Sequence, residues 1–220
     1  MTEILIDPLS ASVAKLSLFF NETYISCATG FFWKNKNKIY IVTNWHNVTG
    51  KSNITGKNLS SNAAEPNRIE FDIFLNGNIN LRKKISIDLY SDEKPIWIEH
   101  PKFRSSVDVV CILLNLEENN VFPINSNNFI DILENVGSDV FIIGYPMGIS
   151  VQNFPIWKRG SIASEPNLNV DDLPLLYVDS LTSRGLSGSP VLIRQNHGQM
   201  RDGSHIMAGD VSKLVGVYSG

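Results

Sequence analysis

The stretch RGLSGSPV, residues 184–191, places Ser187 between two glycines and directly before an apolar run. A serine can attack a carbonyl carbon when its hydroxyl is exposed, a base lies within hydrogen-bond reach, and backbone N–H groups face the developing oxyanion. Gly185 allows a turn in which its own N–H and that of Ser187 point to one spot, as an oxyanion hole requires. A Gly-Ser turn before a strand is also a common structural feature, so this stretch decides nothing alone.

His46 is the histidine whose position best suits a general base. The run KIYIVTNWHNV predicts a strand that leads directly into Asn-Trp-His, which fixes the imidazole at a rigid strand end beside a large ring. His197 and His205 lie in a polar, loop-like segment, and His100 precedes a proline with no apolar strand to place it. A single histidine at a strand end can equally be structural.

Asp108 is the candidate for the carboxylate that orients the base and stabilises its charged form. It precedes the most continuously apolar run of the chain, VVCILLNL, where a carboxylate is costly to bury unless it is paired or hydrogen-bonded. The alternative is an aspartate at a strand entry that accepts backbone N–H groups. The α/β-hydrolase pattern G-x-S-x-G does not fit, because residue 189 is serine and the strands do not alternate with helices.

Short strands must position these residues, because helical periodicity is scarce. The apolar runs that predict strands are KLSLFF, YISCATGFFW, KIYIVTN, RIEFDIFL, VDVVCILLNL, DVFIIGYP, PLLYVDSL, SPVLIR and KLVGVYSG. The turn NGN within residues 68–89 predicts a hairpin. A helix is predicted only near NSNNFIDILENVG, residues 125–137, which ends in glycine.

The strand pattern predicts an all-β sandwich or barrel protein with two halves. Polar residues 117–128 separate the halves, each of which has roughly six strand candidates. We place the N-terminal unit, with His46 and Asp108, at residues 1–122 and the C-terminal unit, with Ser187, at residues 123–220. Residues 49–68 are expected to form a long surface loop.

The composition narrows the possible function classes. The 220 residues are 43% hydrophobic and 19% charged, as in soluble globular proteins. The net charge of -3, without a basic run, gives no indication of nucleic acid or an anionic membrane as partner. No apolar run reaches the roughly 18 residues that span a bilayer. Glu3 and Asp7 near the start do not suit a secretory signal, so we expect a cytoplasmic protein.

The two cysteines predict neither a disulfide nor a metal site. Cys27 and Cys111 are far apart and form no C-x-x-C motif, and Cys111 lies within an apolar run that favours a buried free thiol. No metal ligands and no cofactor are predicted.

The segments around the three candidate residues resemble the trypsin-like, chymotrypsin-fold serine peptidases. The matching segments are ATGFFW…YIVTNWHNV around His46, VDVVCILL at Asp108 and GLSGSPV at Ser187, followed by VGSDVFIIGYPMG, PIWKRGSIASEP and LVGVYSG. The segments GYPMG and GSIAS are most similar to bacterial relatives and stress proteases. The resemblance covers residues 27–220 and implies one peptidase domain of two six-stranded antiparallel Greek-key β-barrels.

The resemblance also implies a role for each site residue. Ser187 would be the nucleophile, His46 the general base and then acid, and Asp108 the orienting carboxylate, with the N–H groups of Gly185 and Ser187 as oxyanion hole. Leu181 would lie near the base of the specificity pocket and favour an apolar or small residue before the scissile bond. An extended polypeptide substrate would pair with the strand residues Val217, Tyr218, Ser219 and Gly220.

Several positions depart from the family pattern. Leu186 stands where secreted members have an aspartate that pairs with a new N-terminal amine after cleavage, so that activation is not expected. The oxyanion turn must then be ordered constitutively, by a partner or by oligomerisation. Ser189 replaces a glycine, and Asn47 replaces the cysteine that follows the base. The chain stops at Gly220, where relatives continue, so either it is a fragment of a longer protein or its specificity pocket lacks a wall. We favour the fragment, with an incomplete second barrel and, as partner, a regulatory protein or a further domain beyond Gly220.

The sequence thus predicts a serine endopeptidase that acts through an acyl-enzyme, with regulation by a partner as one of the three ways in which its oxyanion turn could be ordered. The alternative is a catalytically silent, protease-fold module for peptide binding or sensing. The missing activation pair and the position of the chain end motivate the alternative, whereas the presence of all three triad residues argues against it.

Overall fold

Antiparallel strands are the main regular structure of the computed structural model, which describes residues 6–60, 64–195, 198–206 and 210–220. The strands are β1 Val13–Phe20, β2 Thr23–Asn35, β3 Lys38–Thr43, β4 Arg68–Leu75, β5 Asn78–Asp88, β6 Tyr90–Ser91, β7 Lys94–Pro95, β8 Trp97–Glu99, β9 Val110–Leu114, β10 Asp139–Gly144, β11 Ile156–Ile162, β12 Val178–Asp179, β13 Pro190–Gln195, β14 Gly198–Gln199, β15 His205–Ile206 and β16 Val211–Val217. The helices are α1 Pro8–Ala11 and α2 Trp45–Thr49, with 3₁₀ turns at Glu118–Asn120, Ile124–Ser126 and Pro146–Gly148.

Seven strands form the first sheet, in the order β5-β4-β1-β2-β3-β9-β8. In β4 the residues Ile69, Phe71 and Ile73 alternate into the core, as expected for a strand with one solvated face. The turn at Asn76 and Gly77 joins β4 to its antiparallel partner β5, which confirms the predicted hairpin. Strand β3 lies next to β9, so the residues after β3 and before β9 meet at one end of the sheet.

Five strands form the second sheet, in the order β12-β11-β10-β13-β16. An apolar cluster joins it to the first sheet. Phe31 and Val42 of the first sheet pack in this cluster with Ile143 and Leu192 of the second, and all four are buried. The interface therefore holds the segment before β13 against the ends of β2 and β3.

The predicted all-β class is confirmed, whereas the strand numbers differ from the expected six and six. The sheets have seven and five strands, and neither is closed by pairing of its end strands within the described residues. The proposed division at residue 122 falls between the two sheets, and the assignment of each half to a separate unit remains a prediction. No helix among the described residues has the length and apolarity needed to cross a bilayer.

The predicted helix at residues 125–137 is wrong. A 3₁₀ turn covers Ile124–Ser126, and isolated bridges then pair Phe129 with Ser212 and Ile132 with Met200. Ile132 is buried in the second core, so pairing with distant strands outweighs the local helical periodicity. The long loop expected at residues 49–68 is confirmed for the residues that the structure describes there, since α2 ends at Thr49 and β4 begins at Arg68.

Candidate active site

The short helix α2 places His46 just past the end of β3. The strand ends at Thr43, the fully buried Asn44 follows, and His46 lies in the first turn of the helix. Gly50 ends the helix with φ +69°, a left-handed conformation that glycine adopts without strain. The side-chain amide of Asn44 donates to the backbone oxygen of Asp108 over 2.6 Å, which ties this helix to the segment before β9.

The carboxylate of Asp108 is buried and fully hydrogen-bonded. Its Oδ1 accepts the backbone N–H of His46 over 2.9 Å, and its Oδ2 lies 2.6 Å from His46 Nδ1. Oδ2 also accepts the hydroxyl of Ser219 over 2.8 Å. Three donors compensate the burial of this charge. Because an ionised carboxylate can only accept, this contact selects, for a neutral imidazole, the tautomer with the proton on Nδ1 and the lone pair on Nε2.

Ser187 lies at the same end of the first sheet, in the half-buried turn before β13. Its backbone oxygen accepts the N–H of Thr29 over 2.9 Å and the side-chain amide of Asn47 over 3.1 Å. Asn47 follows His46 directly, so His46 and Ser187 lie at the same end of the interface between the sheets. The His46 ring and the Ser187 hydroxyl, both described, form no hydrogen bond here; such bonds often tighten only when substrate is bound.

The turn at Gly185 has two unused N–H donors. Neither the N–H of Gly185 nor that of Ser187 has an acceptor among the described residues. Gly185 has φ +91°, and a Cβ there would lie 2.3 Å from the backbone oxygen of Tyr145, so only glycine fits. The turn can therefore direct two donors at one oxygen of a bound molecule.

The residues predicted to bind substrate are placed as follows. Leu181 is 84% exposed, and its backbone oxygen accepts the Lys158 ammonium. Val217 ends β16, an edge strand of the second sheet within the described residues, and the backbone of Tyr218 is paired with Gly188 and Ser189. Ser219 donates to Asp108, and Gly220 lies beside the Ser187 hydroxyl. Binding of substrate by these five residues remains a prediction.

Three polar contacts were not foreseen from the sequence. Ser219 was expected to bind substrate, yet its hydroxyl supports the carboxylate of Asp108. Thr29 and Asn47 contact the turn around Ser187 from 156 and 140 positions away. A threonine within an apolar strand and an asparagine in an asparagine-rich chain give no signal of such a role.

Tyr145 anchors the loop that follows β10. Its hydroxyl lies 3.2 Å from the backbone oxygen of Val13 and 3.1 Å from that of Asn153. Burial raises the pKa of Tyr145 far above its ordinary value, although the positive charge of Arg82 opposes this effect. The phenol therefore stays a neutral hydrogen-bond donor. Within the described parts of the chain, no three potential metal-ligating side chains lie together.

Comparison with known proteins gives one family match and several structural ones. A family model described as a trypsin-like peptidase domain matches residues 28–200. No curated protein matches the chain. The solved structure of Deg5 is 17% identical, with 84% of this chain and 75% of that chain covered and a TM-score of 0.50, so the two share a fold.

Two further solved structures are similar at lower scores. The HtrA-type protease AlgW, solved with a tripeptide, is 14% identical, with 84% of this chain and 48% of that chain covered and a TM-score of 0.47. The serine endoprotease from Yersinia pestis is 14% identical, with 96% of this chain and 63% of that chain covered and a TM-score of 0.48. This chain therefore spans about half of the AlgW chain and less than two thirds of the Yersinia chain.

Proposed function

Since the chain belongs to the trypsin-like peptidase domain family, we propose that it is a serine endopeptidase with Ser187, His46 and Asp108 as its catalytic residues. The observation that carries the proposal is the buried carboxylate of Asp108, which accepts both the backbone N–H and the Nδ1–H of His46. This pair sets the tautomer that leaves Nε2 free to take a proton. A purely structural aspartate at a strand entry needs no such bond to an imidazole.

The proposed reaction proceeds through an acyl-enzyme. Ser187 Oγ bonds to the scissile carbonyl carbon while its proton passes to His46 Nε2, and the N–H groups of Gly185 and Ser187 bind the oxyanion. Asp108 stabilises the imidazolium that forms. His46 then gives the proton to the leaving amine as the C–N bond breaks, and a water activated by His46 hydrolyses the ester.

The proposed substrate is an extended or locally unfolded polypeptide with apolar side chains. Strand β16 lies at a sheet edge, where an extended chain can add by backbone hydrogen bonds. The loop after β10 borders the oxyanion turn through the bond from the Met147 N–H to the Arg184 oxygen, and it exposes Met147, Ile149 and Val151. These apolar side chains agree with the apolar preference expected from Leu181.

A fluorophosphonate probe tests the proposal, because it reacts with a serine only when base and oxyanion donors are in place. We expect the probe to label the chain on Ser187, as located by mass spectrometry of the labelled peptide. Ser187→Ala should abolish labelling, whereas Ser183→Ala, in the same segment, should leave it unchanged. Equal labelling of the wild type and Ser187→Ala would overturn the proposal. Peptide binding without any label would instead favour the silent binding module.

Ser219→Ala should slow labelling moderately. The hydroxyl of Ser219 donates to the same oxygen of Asp108 as His46 Nδ1 does, so its loss leaves one oxygen with a single donor. A hydrogen bond to a charged group contributes roughly 1.5–3 kcal/mol to stability, and we expect about half of this to change in the transition state, which gives a rate about four- to tenfold lower. Rate constants for probe labelling measure the effect. An unchanged rate would show that Ser219 has no part in holding Asp108.

A further inference from the structure

All backbone oxygens of the turn that carries Ser187 are held by hydrogen bonds. The oxygen of Arg184 accepts the Met147 N–H over 2.6 Å, and the oxygen of Gly185 accepts the Thr29 hydroxyl over 2.6 Å. The oxygen of Leu186 accepts the Ser189 N–H over 2.9 Å. The oxygen of Ser187 accepts the Thr29 N–H and the Asn47 amide.

These bonds fix the direction of the free N–H donors. Because the peptide between Arg184 and Gly185 is planar and trans, its oxygen and its N–H point in opposite directions. The Met147 N–H therefore turns the Gly185 N–H away from the loop after β10. The Thr29 hydroxyl holds the next peptide, between Gly185 and Leu186, which joins the two peptides that carry the free donors. The N–H of this middle peptide, on Leu186, donates to the Ser183 oxygen over 3.3 Å. If the Met147 bond is lost, the peptide that carries the Gly185 N–H can rotate. If the Thr29 bond is lost, the middle peptide can rotate, and the N–H groups of Gly185 and Ser187 no longer face the same oxygen.

Thr29 joins the turn to its surroundings. Its side chain is fully buried, and its Oγ1 accepts the Tyr145 N–H over 3.1 Å while donating to the Gly185 oxygen. Its backbone oxygen accepts the hydroxyl of Thr43 over 2.8 Å. One threonine thus connects the first sheet, the loop after β10 and the turn before Ser187.

Asn47 completes the network from the helix that carries His46. Its Nδ2 donates to the Thr43 hydroxyl over 3.0 Å and to the Ser187 oxygen over 3.1 Å, so both amide hydrogens are used. Leu186, in the middle of the turn, is apolar and fully buried and offers no charge that could order it. Thr29 and Asn47 supply side-chain hydrogen bonds to this turn, beside the backbone bonds from Met147 and Ser189.

We propose that Thr29 and Asn47 are positioning residues that hold the oxyanion turn in its working conformation constitutively, without cleavage of the chain and without a partner. The inference rests on the proposed serine peptidase function. It assigns the regulation of that site: activity is present as soon as the chain folds, and it is lost when this network is broken.

Saturation kinetics with an alkyl fluorophosphonate test the inference on the purified, uncleaved chain. Thr29→Val has the same shape but no hydroxyl, and we expect its maximal labelling rate to fall by about 100-fold, as when one oxyanion donor is lost, with half-saturation changed less than about threefold. Thr29→Ser keeps the hydroxyl and should restore the rate to within about threefold of the wild type. Asn47→Leu, as a second variant, should lower the rate by about tenfold without abolishing folding.

Ser189→Ala is the matched control. Ser189 is fully buried in the same region, and its hydroxyl has no hydrogen-bond partner among the described residues, so its removal should leave the labelling rate unchanged. Near-ultraviolet circular dichroism confirms that each variant is folded. A folded Thr29→Val with the wild-type rate would overturn the inference and leave the peptidase proposal intact. A folded wild type that is labelled only after cleavage or partner addition would also overturn it, whereas a wild type never labelled would refute the proposed function itself.

Discussion

Substitution of Asp108 by asparagine is expected to slow the acylation of Ser187 by about 10⁴-fold at neutral pH. The carboxylate receives the His46 backbone N–H on Oδ1, and His46 Nδ1 and the Ser219 hydroxyl on Oδ2. Asparagine has one acceptor oxygen in place of two. The variant can therefore accept either the backbone N–H at the Oδ1 position or the two donors at the Oδ2 position, but not both.

The backbone N–H decides how the asparagine amide is oriented. The backbone N–H of His46 is fixed by the helix and cannot turn to another acceptor. Leaving it unpaired in a buried site costs roughly 1–3 kcal/mol, so the amide oxygen of the asparagine takes the Oδ1 position. The NH₂ group then faces His46 Nδ1 and donates to it. The imidazole proton moves to Nε2, which can no longer accept the proton of Ser187. The geometry stays nearly unchanged while the base is in the wrong tautomer.

Second-order rate constants for fluorophosphonate labelling at neutral pH measure this effect. Asp92→Asn is the control, because Asp92 lies in an exposed turn with φ +49°, a conformation that asparagine adopts readily. The control should react at the wild-type rate. A rate for Asp108→Asn within about tenfold of the wild type would show that Asp108 does not set the tautomer of His46.

The gathering of His46, Asp108 and Ser187 at one end of the sheet interface could be predicted because three individually modest signals agree with the order and the segments of a family that the chain resembles. A carboxylate before a buried strand requires partners, and a histidine directly after a strand is held rigidly. The glycines around Ser187 mark a turn that other residues cannot adopt, as the positive φ of Gly185 confirms. These signals are local, so they can be recognised without knowledge of the fold.

The contacts of Thr29, Asn47 and Ser219 could not be predicted, because each depends on a partner more than 100 positions away. Threonine is common in strands, and nothing near Thr29 shows that its hydroxyl meets the oxygen of Gly185. The predicted six strands in each half are wrong for a similar reason. Short strands such as Trp97–Glu99 are defined by their pairing with β9, and around Ile132 pairing with distant residues outweighs the local helical pattern.

Gly188→Ala is expected to destabilise the fold by about 4 kcal/mol, the sum of backbone strain at positive φ and steric overlap in a packed site. Gly188 has φ +89°, and a Cβ there would lie 2.0 Å from the Thr29 backbone oxygen and 2.4 Å from Thr43 Oγ1. These two atoms are hydrogen-bonded to each other over 2.8 Å. The methyl group must therefore displace the strand segment that holds the oxyanion turn.

Thermal unfolding of Gly188→Ala and Gly137→Ala separates the backbone strain from the steric overlap. Gly137 has a similar φ of +83°, and no atom of the described residues lies within 4 Å of a Cβ there, so this variant has the strain without the overlap. We expect the midpoint to fall by about 8–16 °C for Gly188→Ala and by about 2–4 °C for Gly137→Ala. Equal shifts of the two unfolding midpoints would mean that Thr29 and Thr43 move aside for the methyl group at no measurable cost. A rigid network at this position would then be excluded, because the atoms that meet the new Cβ belong to Thr29, which bonds to the turn, and to Thr43, which accepts the Asn47 amide.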